Sequence, residues 1–112
     1  MGKVFGIHEI ELKPGVTEAD LRQHLRDSTF SIPGLTTYVA KGDRGARTDK
    51  YVAIIEFESA ELRARYFPST GEPSEEWNRL VAPFVPVIER FTQLTTWPDP
   101  NFTDYHVIDP TE

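Results

Sequence analysis

Three histidines are the residues of this sequence best suited to chemistry near neutral pH. An imidazole changes its charge there, so it can serve as a general base, an acid or a pH sensor. His8 lies in residues 3–12, KVFGIHEIEL, flanked along its own face by Gly6 and Ile10. Over a pocket it would act as a base or hold a polar group of a ligand. In a core or between subunits it would be a packing residue with a hydrogen-bonded neighbour. His106 follows Asp104 by two positions, which on a strand puts both on one face, so the carboxylate can orient the ring. The alternative for that pair is a solvated terminal strand. His24 borders the Leu21/Leu25 stripe of a helix and is expected to be exposed. None of these spacings matches a metal-ligand pair on a helix, so no metal site is expected. The chain has no cysteine, which excludes thiolate zinc sites, iron–sulfur clusters and disulfides.

Aromatic residues form the second group of interest. Tyr66, Phe67, Trp77 and Phe84 surround a region broken by glycine and proline, residues 67–73. Such a group can wall a pocket for a flat apolar molecule, with the loop as its lid, or can simply pack a core. The loop 42–49, GDRGARTD, carries Arg44 and Arg47 between two lysines. Its spacing matches neither phosphate-binding fingerprint, so it reads as a solvated hairpin tip. The sequence has no G-x-S-x-G nucleophile elbow.

The elements that would position these residues are legible in order. Residues 3–12 and 51–58, YVAIIEFE, both carry apolar residues on their two faces, the mark of central strands. Between them, Lys13-Pro14-Gly15 turns the chain and Thr17 caps a helix running to about Ser28, with Glu18 and Asp20 in its first turn. A second strand over 36–41 leads through the polar tip into 51–58, an antiparallel hairpin. Ser59 caps a helix over 60–66, and Ser74 caps a further helical run divided by Pro83 and Pro86. Residues 91–97 are threonine-rich and predict a strand. Residues 102–108 predict a short additional one.

The order is strand, helix, strand, strand, helix, strand, or βαββαβ. It predicts one α+β domain over residues 1–112, ferredoxin-like, with a four-stranded antiparallel sheet and the helices on one face. The other face would expose a set such as Val4, Ile10, Val52 and Ile54, or its opposite. A monomer seldom leaves such a patch open, so a sheet-to-sheet homodimer is expected, with residues 102–108 able to exchange onto the partner.

In element order, length and burial pattern the chain resembles the dimeric α+β barrel superfamily, which includes antibiotic-biosynthesis-monooxygenase-like, stress-responsive and muconolactone-isomerase-like proteins. The resemblance implies a pocket between helices and sheet. It further implies a small cofactor-independent enzyme acting there on an aromatic or polyketide-like molecule. His8 would then be base or donor, Tyr66, Trp77 and Phe84 the walls, and Tyr38 a polar contact. The alternative within the same group is a non-enzymatic, stress-related or small-molecule-binding dimer. Haem-degrading barrels carry a helix histidine as axial ligand, and no histidine occurs between Ala60 and Arg90 here. No cofactor is therefore expected.

The net charge of −6 argues against nucleic acid and anionic lipid as partners. No apolar run approaches the ~20 residues of a membrane span. Absence of a signal-peptide core and of cysteine suggests the cytoplasm.

Overall fold

The computed structural model describes residues 2–69 and 72–111; Met1, Thr70, Gly71 and Glu112 lie outside the described residues. At the centre of the sheet, β1 (Val4–Ile10) pairs antiparallel with β3 (Tyr51–Phe57). β2 (Leu35–Lys41) lies outside β3 and β4 (Thr103–His106) lies outside β1, giving the order β2-β3-β1-β4. The helices are α1 (Glu18–Asp27), α2 (Ala60–Tyr66), α3 (Glu75–Val81) and α4 (Val85–Leu94), with a 3-10 turn at Ala82–Phe84 between the last two. This α+β arrangement, with a four-stranded antiparallel sheet, is compatible with a ferredoxin-like fold.

Register decides what each face of the sheet carries. Val4 stands opposite Phe57, Gly6 opposite Ile55, and His8 opposite Ala53. Successive residues alternate sides, so these six share one face, while Phe5, Ile7, Val52 and Ile54 share the other. Val4 and Phe57 are buried with Ile32, Leu62 and Tyr66 in the main core, so the helices cover the first face. Val4 and Ile10 therefore do not belong with Val52 and Ile54, which corrects the sequence-based grouping. Phe5, Ile7, Val52 and Ile54 stay half-buried, with Tyr38 and Tyr105 exposed beside them. On that face Glu56 accepts from Lys3 Nζ and from Tyr38 Oη, each at 3.1 Å.

Local chemistry sets the helix ends. Thr17 Oγ1 accepts from the Asp20 N–H and the Asp20 carboxylate accepts from the Thr17 N–H, a reciprocal cap. Ser59 and Ser74 cap α2 and α3 through their hydroxyls. Pro83 falls in the 3-10 turn and Pro86 in the first turn of α4, where its missing N–H costs no helical bond.

Residues 91–97 do not form a strand. α4 continues through Leu94, because Val87, Phe91 and Leu94 recur at helical spacing. The threonines that suggested a strand bond back into the helix: Thr92 Oγ1 donates to the Glu89 carbonyl and Thr95 Oγ1 to that of Phe91. Only Thr95 and Thr96 run beside the end of β1, where the Thr96 N–H donates to the Glu11 carbonyl.

The fourth strand is instead Thr103–His106, from the segment expected to exchange onto a partner. It pairs with β1 of its own chain, Val4 opposite His106 and Ile7 opposite Thr103. Asp104 does not orient His106. It accepts from Arg63 Nε at 2.7 Å and from Arg63 Nη2, tying β4 to α2. Arg63 also lies over the Phe57 and Phe67 rings. Gly6 makes room for this: a Cβ there would stand 2.8 Å from Asp104 Oδ1. Both partners of the pair are mostly buried, so removing one strands the other's charge. Asp104→Ala should lower stability by about 2 kcal/mol. Urea denaturation checks this, and an unchanged midpoint would mean that solvent already screens the pair.

Candidate functional site

The helices do not close fully over the sheet. α1 packs against α4, and the proline-bearing turn at Ala82–Phe84 separates α4 from α3. Between them and the sheet is a cleft of about 410 Å³. Its floor is Leu35, Thr37 and Val39 of β2 with Ala53 and Ile55 of β3. Its roof is Leu25 of α1 with Val87, Ile88 and Phe91 of α4. Phe30, Trp77 and Trp97 close the ends. Leu25 illustrates the opening: expected to be buried with Leu21, it is 45% exposed because it faces this space.

Two polar side chains stand on the α1 wall, His24 and Ser28. His24 lies in the last turn of α1, and Ser28 is the residue that caps its end, with extended backbone. Ser28 Oγ lies 3.0 Å from His24 Nδ1. Phe91 of α4 stacks on the ring with centroids 6.3 Å apart. Burial lowers the His24 pKa from its ordinary 6.5. The Val87 carbonyl opposes that shift, Arg90 adds to it and Asp27 opposes it. At pH 7 the imidazole is therefore neutral. His24 was expected at the surface. Its four-residue spacing from Ser28 was the available signal, and a stripe read from leucines alone passed over it.

The sequence-predicted residues separate into three places. Trp77 lines the cleft. Tyr38 borders it through the β2 backbone, while its phenol lies on the opposite face with Glu56. Tyr66 is fully buried in the core, its hydroxyl donating to the Pro33 carbonyl at 2.8 Å. Phe84 packs edge-on against Phe30 at the border of that core. The loop over residues 67–73, expected as a lid, includes Thr70 and Gly71, which lie outside the described residues.

His8 faces the helix side but does not line the cleft. Its ring stacks on Phe102 at 4.8 Å and packs at a tilt against Trp97 at 4.2 Å. Trp97 in turn lines the cleft, so His8 sits one aromatic layer behind it. The Nδ1 of His8 is buried without a hydrogen-bond partner. Burial holds its pKa below 6.5, against the opposing pull of Asp99 and Asp104. Asp99 is held in place by the Glu9 and Asn101 N–H groups, both of which it accepts. His106 is exposed at the sheet edge. Among the described residues, no cluster of three or more histidines and carboxylates is placed to hold a metal ion.

Both lowered histidines make stability sensitive to mild acid. Above pH 6.5 they are neutral in folded and unfolded chains alike. As pH falls the unfolded chain takes up protons first, so folding stability is lost through and below that value. The urea midpoint should fall between pH 7 and pH 5. His8→Phe should reduce that fall, and proton NMR should show both ring titrations below 6.5. A midpoint equal at the two pH values would refute the assignment.

Comparison with protein-family models, curated proteins and solved structures finds no match to this chain.

Proposed function

We propose that this protein takes up an aromatic or polyketide-like small molecule in the cleft between helices and sheet and acts on it by cofactor-independent proton transfer. One observation carries the reading: an apolar cleft of drug-like volume that bears a neutral imidazole, His24, with Ser28 hydrogen-bonded to it. Pockets for small molecules are of this kind, mostly apolar with a few placed polar groups. Leu35, Val39, Ile55, Phe91 and the two tryptophans favour a flat, apolar ligand. Partial burial favours the uncharged imidazole, which is then available as a base. His8 lies behind Trp97 and supports that ring.

The same reading includes a homodimer formed through the open sheet face. Phe5, Ile7, Val52 and Ile54 make a contiguous apolar strip there. The charge within the strip is compensated, Glu56 being paired to Lys3 at 3.1 Å. A second copy related by a twofold axis would lay an identical strip over this one, which is the arrangement of a dimeric α+β barrel.

Two measurements test these statements. Trp77 and Trp97 fluorescence should respond saturably to planar apolar ligands, and Val39→Trp, which fills the floor, should abolish the response by at least about tenfold in Kd. A saturating response that survives Val39→Trp would place the ligand elsewhere. Sedimentation at micromolar concentration should give a dimer, and Ile54→Lys should give a folded monomer. A monomeric wild-type chain would remove the interface.

A further inference from the structure

The side chains on the cleft wall also specify which atom reacts. We infer that Ser28 is a nucleophile activated by His24, and that the cleft accepts esters of apolar aromatic acids or alcohols for acyl transfer to the Ser28 hydroxyl. The inference rests on the cleft being a small-molecule site.

The geometry supports it in three ways. First, Ser28 Oγ is 3.0 Å from His24 Nδ1, within the distance at which a base withdraws a hydroxyl proton. Second, in the neutral Nε2–H tautomer the Nδ1 lone pair faces the Ser28 hydroxyl and can receive its proton across the same 3.0 Å contact. Third, His24 sits in the last turn of α1, where the helix dipole stabilises the imidazolium formed when it takes that proton. The Val87 carbonyl acts in the same sense, favouring positive charge on the ring. Thr37, on the facing strand, brings a second hydroxyl to the same cleft.

The step balances within the site. Ser28 Oγ bonds to the ester carbonyl carbon as its proton passes to His24 Nδ1. The carbon–oxygen bond to the leaving group breaks, and the departing oxygen takes the proton from Nδ1. Water then attacks the acyl-serine with His24 as base, and the proton returns to Ser28 as the acid leaves.

The test uses the full chain with p-nitrophenyl benzoate and, separately, an aryl fluorophosphonate. Intact mass and peptide mapping should place the adduct on Ser28, with p-nitrophenol released faster than in buffer. Ser28→Ala and His24→Ala should each lose about 100-fold of that rate. Ser28→Cys should keep covalent labelling. The acylation rate should rise with pH to a plateau, the midpoint of the limb lying below 6.5 and reporting free His24. A folded Ser28→Ala chain that hydrolyses the ester at the wild-type rate, or an adduct on another residue, overturns the inference. Absence of labelling in a folded wild-type chain does so as well. Tryptophan quenching by the planar ligand in Ser28→Ala separates the two readings. If it persists without acylation in the wild type, the nucleophile fails and the cleft stands. If it is absent in both chains, the cleft itself fails.

Discussion

The antiparallel pairing of β1 with β3, His8 opposite Ala53 and Val4 opposite Phe57, is the constraint on which the rest of the molecule depends. Both strands carry apolar residues on two faces, so their pattern alone tolerates either side toward the helices. The register removes that freedom, since a slip of one residue would exchange every side chain between faces. In the observed register the helix side receives Val4, Ile10, Ala53 and Phe57, all buried. It also receives Gly6, whose missing side chain lets Asp104 reach Arg63. The far side receives Phe5, Ile7, Val52 and Ile54. One pairing thus sets the core, the docking of β4 and the apolar strip left uncovered.

The cleft follows from how unevenly the helices cover the inner face. α2 is short and packs closely, with Tyr66 and Leu62 filling the space above Phe57. At the other end of the sheet, α1 and α4 rest on each other, and Pro83 and Pro86 break the path from α3 to α4. The residues between them and β2 meet across a gap rather than in contact. Trp97 bridges this gap to the sheet's centre. It packs on His8 at 4.2 Å and on Phe91 at 5.9 Å, and Phe91 in turn stacks on His24. A continuous aromatic path therefore joins the buried histidine of β1 to the histidine on the cleft wall.

Much of this was readable from residue order, because the signals were local. Capping by Thr17, Ser59 and Ser74, the two-faced strands, and the hairpin through residues 42–49 each depend on neighbours in sequence. The fourth strand was misplaced where local and distant preferences disagree. β-branched threonines at 92, 95 and 96 favour a strand, yet the apolar spacing of Val87, Phe91 and Leu94 serves a helix, and packing against α1 decides it. The site was legible only in part. That a cleft lies beside Trp77 follows from the broken helical region, but the partners of Tyr66 and Tyr38 do not. Pro33 lies 33 residues from Tyr66, and Glu56 lies on a different strand from Tyr38. His24 and Ser28 stand together at the C-terminal end of α1. Their importance comes from α4 crossing over them, which no spacing within α1 can express.

The surroundings of His24 bear on its proposed role as a base. Burial against Phe91 lowers its pKa and so keeps it unprotonated at neutral pH, but a lower pKa also means a weaker pull on a proton. The helix C-terminus and the Val87 carbonyl work in the opposite sense, stabilising positive charge on the ring. Arg90 again disfavours that charge and Asp27 favours it. The net shift is downward, so the ring is neutral at pH 7, and in the proposed acyl transfer it would receive the Ser28 proton. An exposed histidine would have the stronger pull with more of it already protonated. One sealed deeper, as His8 is beneath Trp97 and Phe102, leaves its Nδ1 without a hydrogen-bond partner. The edge of the cleft lies between these limits, and there the imidazole meets both a hydroxyl and open space for a ligand.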